Sequence, residues 1–178
     1  EIPNKLKLIN CVGGGSSAYG FWSEFFDYNK KNVELIGVEA GGPRNSRLHA
    51  APLSKNSKIA ILHGAAAYCV QDSDGQIDQT DSCSSGLDYP STSPIHCYLK
   101  DLGRARYTFA TDEEAFSAYK LVTDLEDISP SLEPSHSFAE AIKIAPKLDS
   151  SNIIVVNSCG DSLKDKDIIK KRLGSYSR

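Results

Sequence analysis

Cys11-Val12-Gly13-Gly14-Gly15-Ser16-Ser17-Ala18-Tyr19-Gly20 stands where an apolar run, Leu6 to Val12, meets an amphipathic helical pattern from Ser16 to Tyr28. Three successive glycines leave the backbone uncovered, so an anion can approach its N–H groups closely. The helix that follows offers its positive end to the same point. A second short apolar run, Val33–Glu39, ends in Gly41-Gly42-Pro43. Strand, glycine turn, helix and strand in that order predict a β–α–β unit with parallel pairing. A phosphate-bearing ligand is expected at the glycines.

The rest of the chain extends this pattern. The first helix is expected from Ser16, with Ser16 or Ser17 as N-cap, to about Asn29. Phe21, Phe25 and Tyr28 recur on it at helical spacing beside Trp22 and read as core. Between Ala40 and Pro90 the pattern loosens: Ile59–Leu62 and Ala65–Val70 suggest a hairpin, and Asp74-Gly75 is a turn signal. Pro94–Leu102 reads as a helix and Arg106–Ala110 as a strand. Thr111-Asp112-Glu113-Glu114 has the form of a capping box and opens a helix to about Glu126. A helix over Pro134–Ala145, an apolar strand Ile153–Val156 and a last helix near Asp165–Leu173 complete the chain. Strands alternating with helices predict an α/β fold with a mostly parallel twisted sheet flanked by helices. In such sheets ligands gather beyond the carboxyl ends of the strands, where Gly13–Ser17, Glu39–Gly42 and Asn157–Gly160 all fall.

Composition limits the function. At 178 residues the chain is long enough for one well-filled core, so residues 1–178 are expected to form a single domain. Lysines cluster only at the ends and the net charge is −3, so no basic surface for nucleic acid stands out. The apolar runs are too short to span a bilayer, and membrane association is not expected. The five cysteines (Cys11, Cys69, Cys83, Cys97, Cys159) are odd in number and contain no Cys-x-x-Cys pair. That argues against a disulfide framework or a zinc site and fits a reducing, cytoplasmic compartment. With no methionine and an opening on Glu1-Ile2-Pro3, the sequence reads as a piece of a longer polypeptide.

Spacing alone allows a dinucleotide site. Gly13, Gly15 and Ala18 fit Gly-x-Gly-x-x-Ala, and Glu39 ends the next strand roughly twenty residues on, where an acid holds a ribose. That is the reading of an NAD oxidoreductase. The hydroxyls of Ser16 and Ser17 suit a terminal phosphate monoester better than a buried pyrophosphate.

A longer series of blocks points elsewhere. Cys11–Ser16, Gly37-Val38-Glu39, His49 with Ala51-Pro52-Leu53, and Asp74-Gly75-Gln76-Ile77 all match one family. So do Ser85-Gly86-Leu87-Asp88-Tyr89-Pro90-Ser91, His96, Tyr98, Leu99, Gly103-Arg104-Ala105 and Thr111–Ala115. Leu132-Glu133, Ser135-His136 and Val155-Val156-Asn157 follow in the same order. Covering nearly the whole chain, these resemble the C-terminal half of tryptophan synthase β chains, fold-type II pyridoxal-phosphate (PLP) enzymes with a Rossmann-like three-layer domain.

The resemblance implies that Gly13, Gly14, Gly15 and Ser16 cradle the PLP phosphate, with Ser17 where the family usually has asparagine. It implies that Glu133 sits near the ring, with helix capping as its plain alternative. Cys159, followed by Gly160, stands where the family places a serine against the ring nitrogen; a small buried residue after a strand is the competing reading. Asp88 matches an acid that pairs with an arginine of the N-terminal half when the site closes. The carbonyls of Gly13, Tyr89 and Ser91 align with positions binding a monovalent cation, sodium or potassium. His63 falls near the family's indole route, although a structural hydrogen bond is the simpler reading, and His136 reads as structural. Asp161 replaces a family arginine in a loop one residue longer. The implied partners are the missing N-terminal half with its Schiff-base lysine, a second β chain, an α subunit, and the substrates L-serine and indole. The fragment alone is expected to be inactive. The sequence leaves three other readings open: a catalytically degenerate interaction domain, another fold-type II lyase, and the NAD enzyme.

Overall fold

Along the first strand, β1 (Leu6–Cys11), Leu6 and Leu8 face one side with Val12 beyond them, while Ile9 and Cys11 face the other. Apolar side chains on both faces place a strand inside a covered sheet. The computed structural model describes residues 5–55 and 57–174; the Glu1-Ile2-Pro3 opening lies outside them. In it β1 pairs in parallel with β2 (Val33–Ala40) on one side and β6 (Ile153–Val156) on the other, and β2 pairs with β5 (Ala105–Ala110). The sheet order is β5-β2-β1-β6, all parallel. β3 (Lys58–Leu62) and β4 (Ala65–Cys69) form a separate antiparallel hairpin.

Helices cover both faces. α1 (Ser16–Trp22) and α2 (Pro94–Asp101) bring Trp22 and Leu99 against Leu6, Leu8, Val33, Leu35 and Ala105. On the other face α3 (Asp112–Glu126) and α4 (Leu132–Ile144) bring Ala118 and Ala139 against Ile9, Ile36, Val38 and Ala110. α5 (Lys166–Leu173) sets Ile169 beside Phe116, Tyr119 and Leu132. The expected α/β architecture is therefore found. The Thr111 capping box is complete, with Glu114 N–H donating to Thr111 Oγ1 and Thr111 N–H to Glu114 Oε2. Among the described residues no helix is long and apolar enough to cross a membrane.

Two local expectations need correction. The first helix stops at Trp22 and passes into a 3-10 turn, Ser23–Phe25, instead of running to Asn29. Arg104 is the reason: its guanidinium takes the carbonyls of Phe25 and Phe26, at 2.5 and 2.7 Å, so the chain turns there. The N-cap is Gly15, with φ 95°, and not Ser16 or Ser17. The expected hairpin is found and turns at His63-Gly64, both at positive φ, and the expected Asp74-Gly75 turn closes a later loop, where Gly75 N–H donates to Asp72 O.

Candidate functional site

β1 lies between β2 and β6, and the chain leaves β1 toward α1 on one face and β6 toward α5 on the other, so a crevice opens at their carboxyl ends. The glycine loop forms its rim. A Cβ on Gly13 would stand 2.8 Å from the Gly86 carbonyl oxygen, and one on Gly15 would stand 2.1 Å from His96 Cδ2. Nothing lies within 4 Å of a Cβ on Gly14, which faces open space. Packing thus demands glycine on either side of an uncovered peptide. The first-turn N–H groups of α1 have no intrahelical acceptor, and the N-cap supplies no side-chain bond.

The crevice contains a cavity of about 160 Å³ lined by Cys11, Gly13, Gly14, Gly15, Ser16, Ser17, Gly86, Leu87, Glu133 and Cys159. Every expected cofactor residue except Gly160 lies on it. Gly160 turns away: its carbonyl accepts from Ser131 N–H at 2.9 Å, and a Cβ there would meet Ser131 Oγ at 2.6 Å.

Glu133, in the first turn of α4, accepts from Gly86 N–H at 2.9 Å and from Lys164 Nζ at 2.7 Å. Burial opposes its ionisation most strongly, but Lys164 and the other hydrogen bonds to the carboxylate together outweigh it and hold the carboxyl down to about 2. Lys164 also reaches Asp165 Oδ1 at 3.0 Å, and Asp165 Oδ2 accepts from Leu132 N–H at 2.8 Å, so the C-terminal segment fixes the start of α4. Asp161 caps the 3-10 turn Ser162–Asp165 by accepting from Leu163 N–H.

Cys159, exposed at the end of β6, lies with Sγ 3.6 Å from Cys11 Sγ at the end of β1. The hydrogen bond from Cys11 pulls the Cys159 thiol well below the usual thiol range, while that same bond and burial push Cys11 up. Ser17 Oγ accepts from Asn10 Nδ2 at 3.2 Å and Asn157 Nδ2 at 3.3 Å, which leaves its proton for Cys159.

A second cavity of about 410 Å³ shares Gly14 and Gly86 with the first and is lined also by His63, Tyr89, Thr92 and Ser93. His63 Nδ1 is 2.9 Å from Tyr89 OH and the two rings stack. Asp88 is exposed, with its N–H on Ser84 O. Among the described residues no backbone N–H takes the carbonyls of Gly13, Tyr89 or Ser91, whereas those of Gly14 and Pro90 accept from Ser93 and Val70.

Glu39 does not face the crevice. It is fully buried and accepts from Leu53 N–H, Ser54 N–H and Ser54 Oγ, so it organises the segment after β2 and is not available to a ribose. His96 was not recognisable as a positioning group, nor was Lys164 as the partner of Glu133; both contacts are made across the fold.

No protein-family model matches the chain. It is 46% identical over 162 residues to a tryptophan synthase beta chain of Chromobacterium violaceum, covering 90% of this chain and 40% of that protein. It is 44% identical over 174 residues to the tryptophan synthase beta chains of two Rhodopseudomonas palustris strains, covering 98% of this chain and 42% of theirs. The chain thus spans about two-fifths of the length of these relatives.

Proposed function

From the premise that the chain belongs to the tryptophan synthase β-chain family, we propose that it is the C-terminal, phosphate-binding half of such an enzyme. The whole protein would condense L-serine with indole to L-tryptophan by β-replacement. The observation that carries this is the meeting of Gly13–Ser17, Glu133 and Cys159 on one cavity at the carboxyl end of β1.

The residues present fit PLP. Side chains are excluded at Gly13 and Gly15, which leaves an uncovered backbone cradle with the Ser16 hydroxyl beside it. When bound, PLP supplies an electron sink for reaction at the α- and β-carbons of serine. Cys159 is this chain's group for the ring nitrogen. A thiol donates weakly and a thiolate only accepts, so the proton shared with Cys11 would govern the charge there. Glu133, ionised and held by Lys164 and Gly86, orients the cradle's far wall. The open carbonyls of Gly13, Tyr89 and Ser91 are the ligands we assign to a monovalent cation, and the exposed carboxylate of Asp88 is the group we assign to domain closure.

The Schiff-base lysine would belong to an N-terminal half, and a second β chain and an α subunit are the proposed protein partners. This chain alone is expected to make no tryptophan. A second reading, a degenerate domain that keeps the fold, draws support from Ser17, whose hydroxyl is engaged by Asn10, Asn157 and Cys159 instead of standing free for phosphate. The test is the visible spectrum of the full-length protein mixed with PLP and then L-serine. A cofactor band that shifts with serine supports the synthase; a folded protein with no band supports the degenerate domain.

A further inference from the structure

Away from the crevice, three side chains from separate elements converge without serving it. Cys83 precedes the segment that carries Gly86, Asp112 opens α3, and His136 lies in the first turns of α4. One ligand atom from each lies within 4.8 Å of the other two. His136 is fully buried, with Nδ1 2.7 Å from the Leu132 carbonyl oxygen. A carbonyl only accepts, so Nδ1 carries the proton and Nε2 a lone pair. That Nε2 has no hydrogen-bond partner among the described residues, and neither has the buried Oδ1 of Asp112.

The donors facing the Asp112 carboxylate are the thiol and N–H of Cys83, and none reaches its Oδ1 or His136 Nε2, so both atoms have lost water without gaining a partner. A cation would satisfy all three groups at once.

We propose that Cys83, Asp112 and His136 form a binding site for a divalent transition-metal ion of the zinc class. Sulfur, imidazole nitrogen and carboxylate oxygen are the donors of a tetrahedral zinc site, whereas magnesium and calcium prefer oxygen alone. The fourth position opens on a cavity of about 280 Å³ lined by Cys83, Asp112, Phe116 and Arg172, which leaves room for a water ligand. Lys171 also lines this cavity, and Arg172 is paired there with Glu113 at 3.2 Å. Binding replaces the Cys83 S–H bond by an S–metal bond, and the thiol proton passes to solvent. The ion joins the segment before Gly86 to the starts of α3 and α4, so it clamps the structure beneath Glu133 without entering the crevice.

Cobalt(II), a spectroscopic stand-in for zinc, tests the site when titrated into the reduced, chelator-treated chain. One equivalent is expected to produce a thiolate-to-cobalt charge-transfer band. Cys83→Ser removes that band, His136→Gln weakens binding by at least about tenfold, and Cys11→Ser leaves both unchanged. Zinc raises the thermal midpoint of the native chain and not that of Cys83→Ser. The proposal is overturned by the absence of a thiolate band, by a band that disappears with Cys11→Ser but survives Cys83→Ser, or by equal zinc shifts in the native and Cys83→Ser chains.

Discussion

His96 Nε2 donates to the carbonyl oxygen of Gly15 at 2.7 Å, while its Nδ1 accepts from Tyr107 OH at 2.8 Å. The carbonyl fixes the tautomer, because it can only accept. Burial pushes the imidazole below its usual range and keeps it neutral. One ring from α2 thereby connects the glycine loop to β5, with Trp22 edge-on at 5.8 Å. The left-handed Gly15 and the buried His96 require each other.

His96→Ala should therefore cost about 2–4 kcal/mol, from two lost buried hydrogen bonds and the cavity left behind. Urea unfolding of the variant against the native chain measures it. A loss under about 0.5 kcal/mol would show that the loop holds its shape unaided.

Glu39 makes a pH prediction with a definite sign. Burial raises its carboxyl to about 7, against hydrogen bonds from Ser54 and Leu53 that favour the anion. The folded chain then holds this proton where the unfolded chain has lost it. Stability from Glu39 is full below the unfolded value near 4.5 and falls as pH rises to about 7. The loss is on the order of 3 kcal/mol. Burial lowers His49, His96 and His136, which slopes the other way in part of this window. The measurement is thus the difference between the native chain and Glu39→Gln, followed by urea unfolding from pH 4.5 to 8. A flat difference would contradict the assignment.

The strands, most helices and the glycine loop were legible because they depend on local signals: apolar runs, a capping box, three adjacent glycines. What was not legible depends on partners distant in sequence. Arg104 ends α1 by taking the carbonyls of Phe25 and Phe26, which no pattern within α1 announces. Lys164 neutralises Glu133 from the far end of the chain, and Glu39 sits at the ribose-acid spacing yet points into the segment after β2. Spacing fixes where a side chain starts, whereas packing decides where it ends.

Cys159 should be the most reactive thiol. It is exposed, and the hydrogen bond from Cys11 favours its thiolate. Alkylation by iodoacetamide, followed by peptide mass spectrometry, is expected at Cys159 first and at a pH below the ordinary thiol range. Cys11→Ala removes the donor and should move the midpoint of the rate profile upward. An unchanged midpoint would mean that Ser17 and the backbone set the acidity.

Gly86→Ala isolates the contact that holds the wall of the crevice. Gly86 donates its N–H to Glu133 Oε1 at 2.9 Å, and a Cβ there would stand 2.5 Å from the same oxygen. Its φ is not positive, so alanine brings no backbone strain and the clash alone is tested. The carboxylate is tethered by Lys164 and can yield only by giving up the N–H bond. A lost bond to a charged group costs about 1.5–3 kcal/mol. The sign with pH follows as well. Glu133, held down to about 2, contributes stability above its unfolded value near 4.5, and that stability is lost as pH falls toward 2. With the N–H bond gone its carboxyl rises, so the variant loses less on acidification than the native chain does. A double-mutant cycle with Glu133→Ala separates this contact from any other effect of the added methyl. In that background Gly86→Ala should be nearly neutral, and an undiminished cost would place the clash elsewhere.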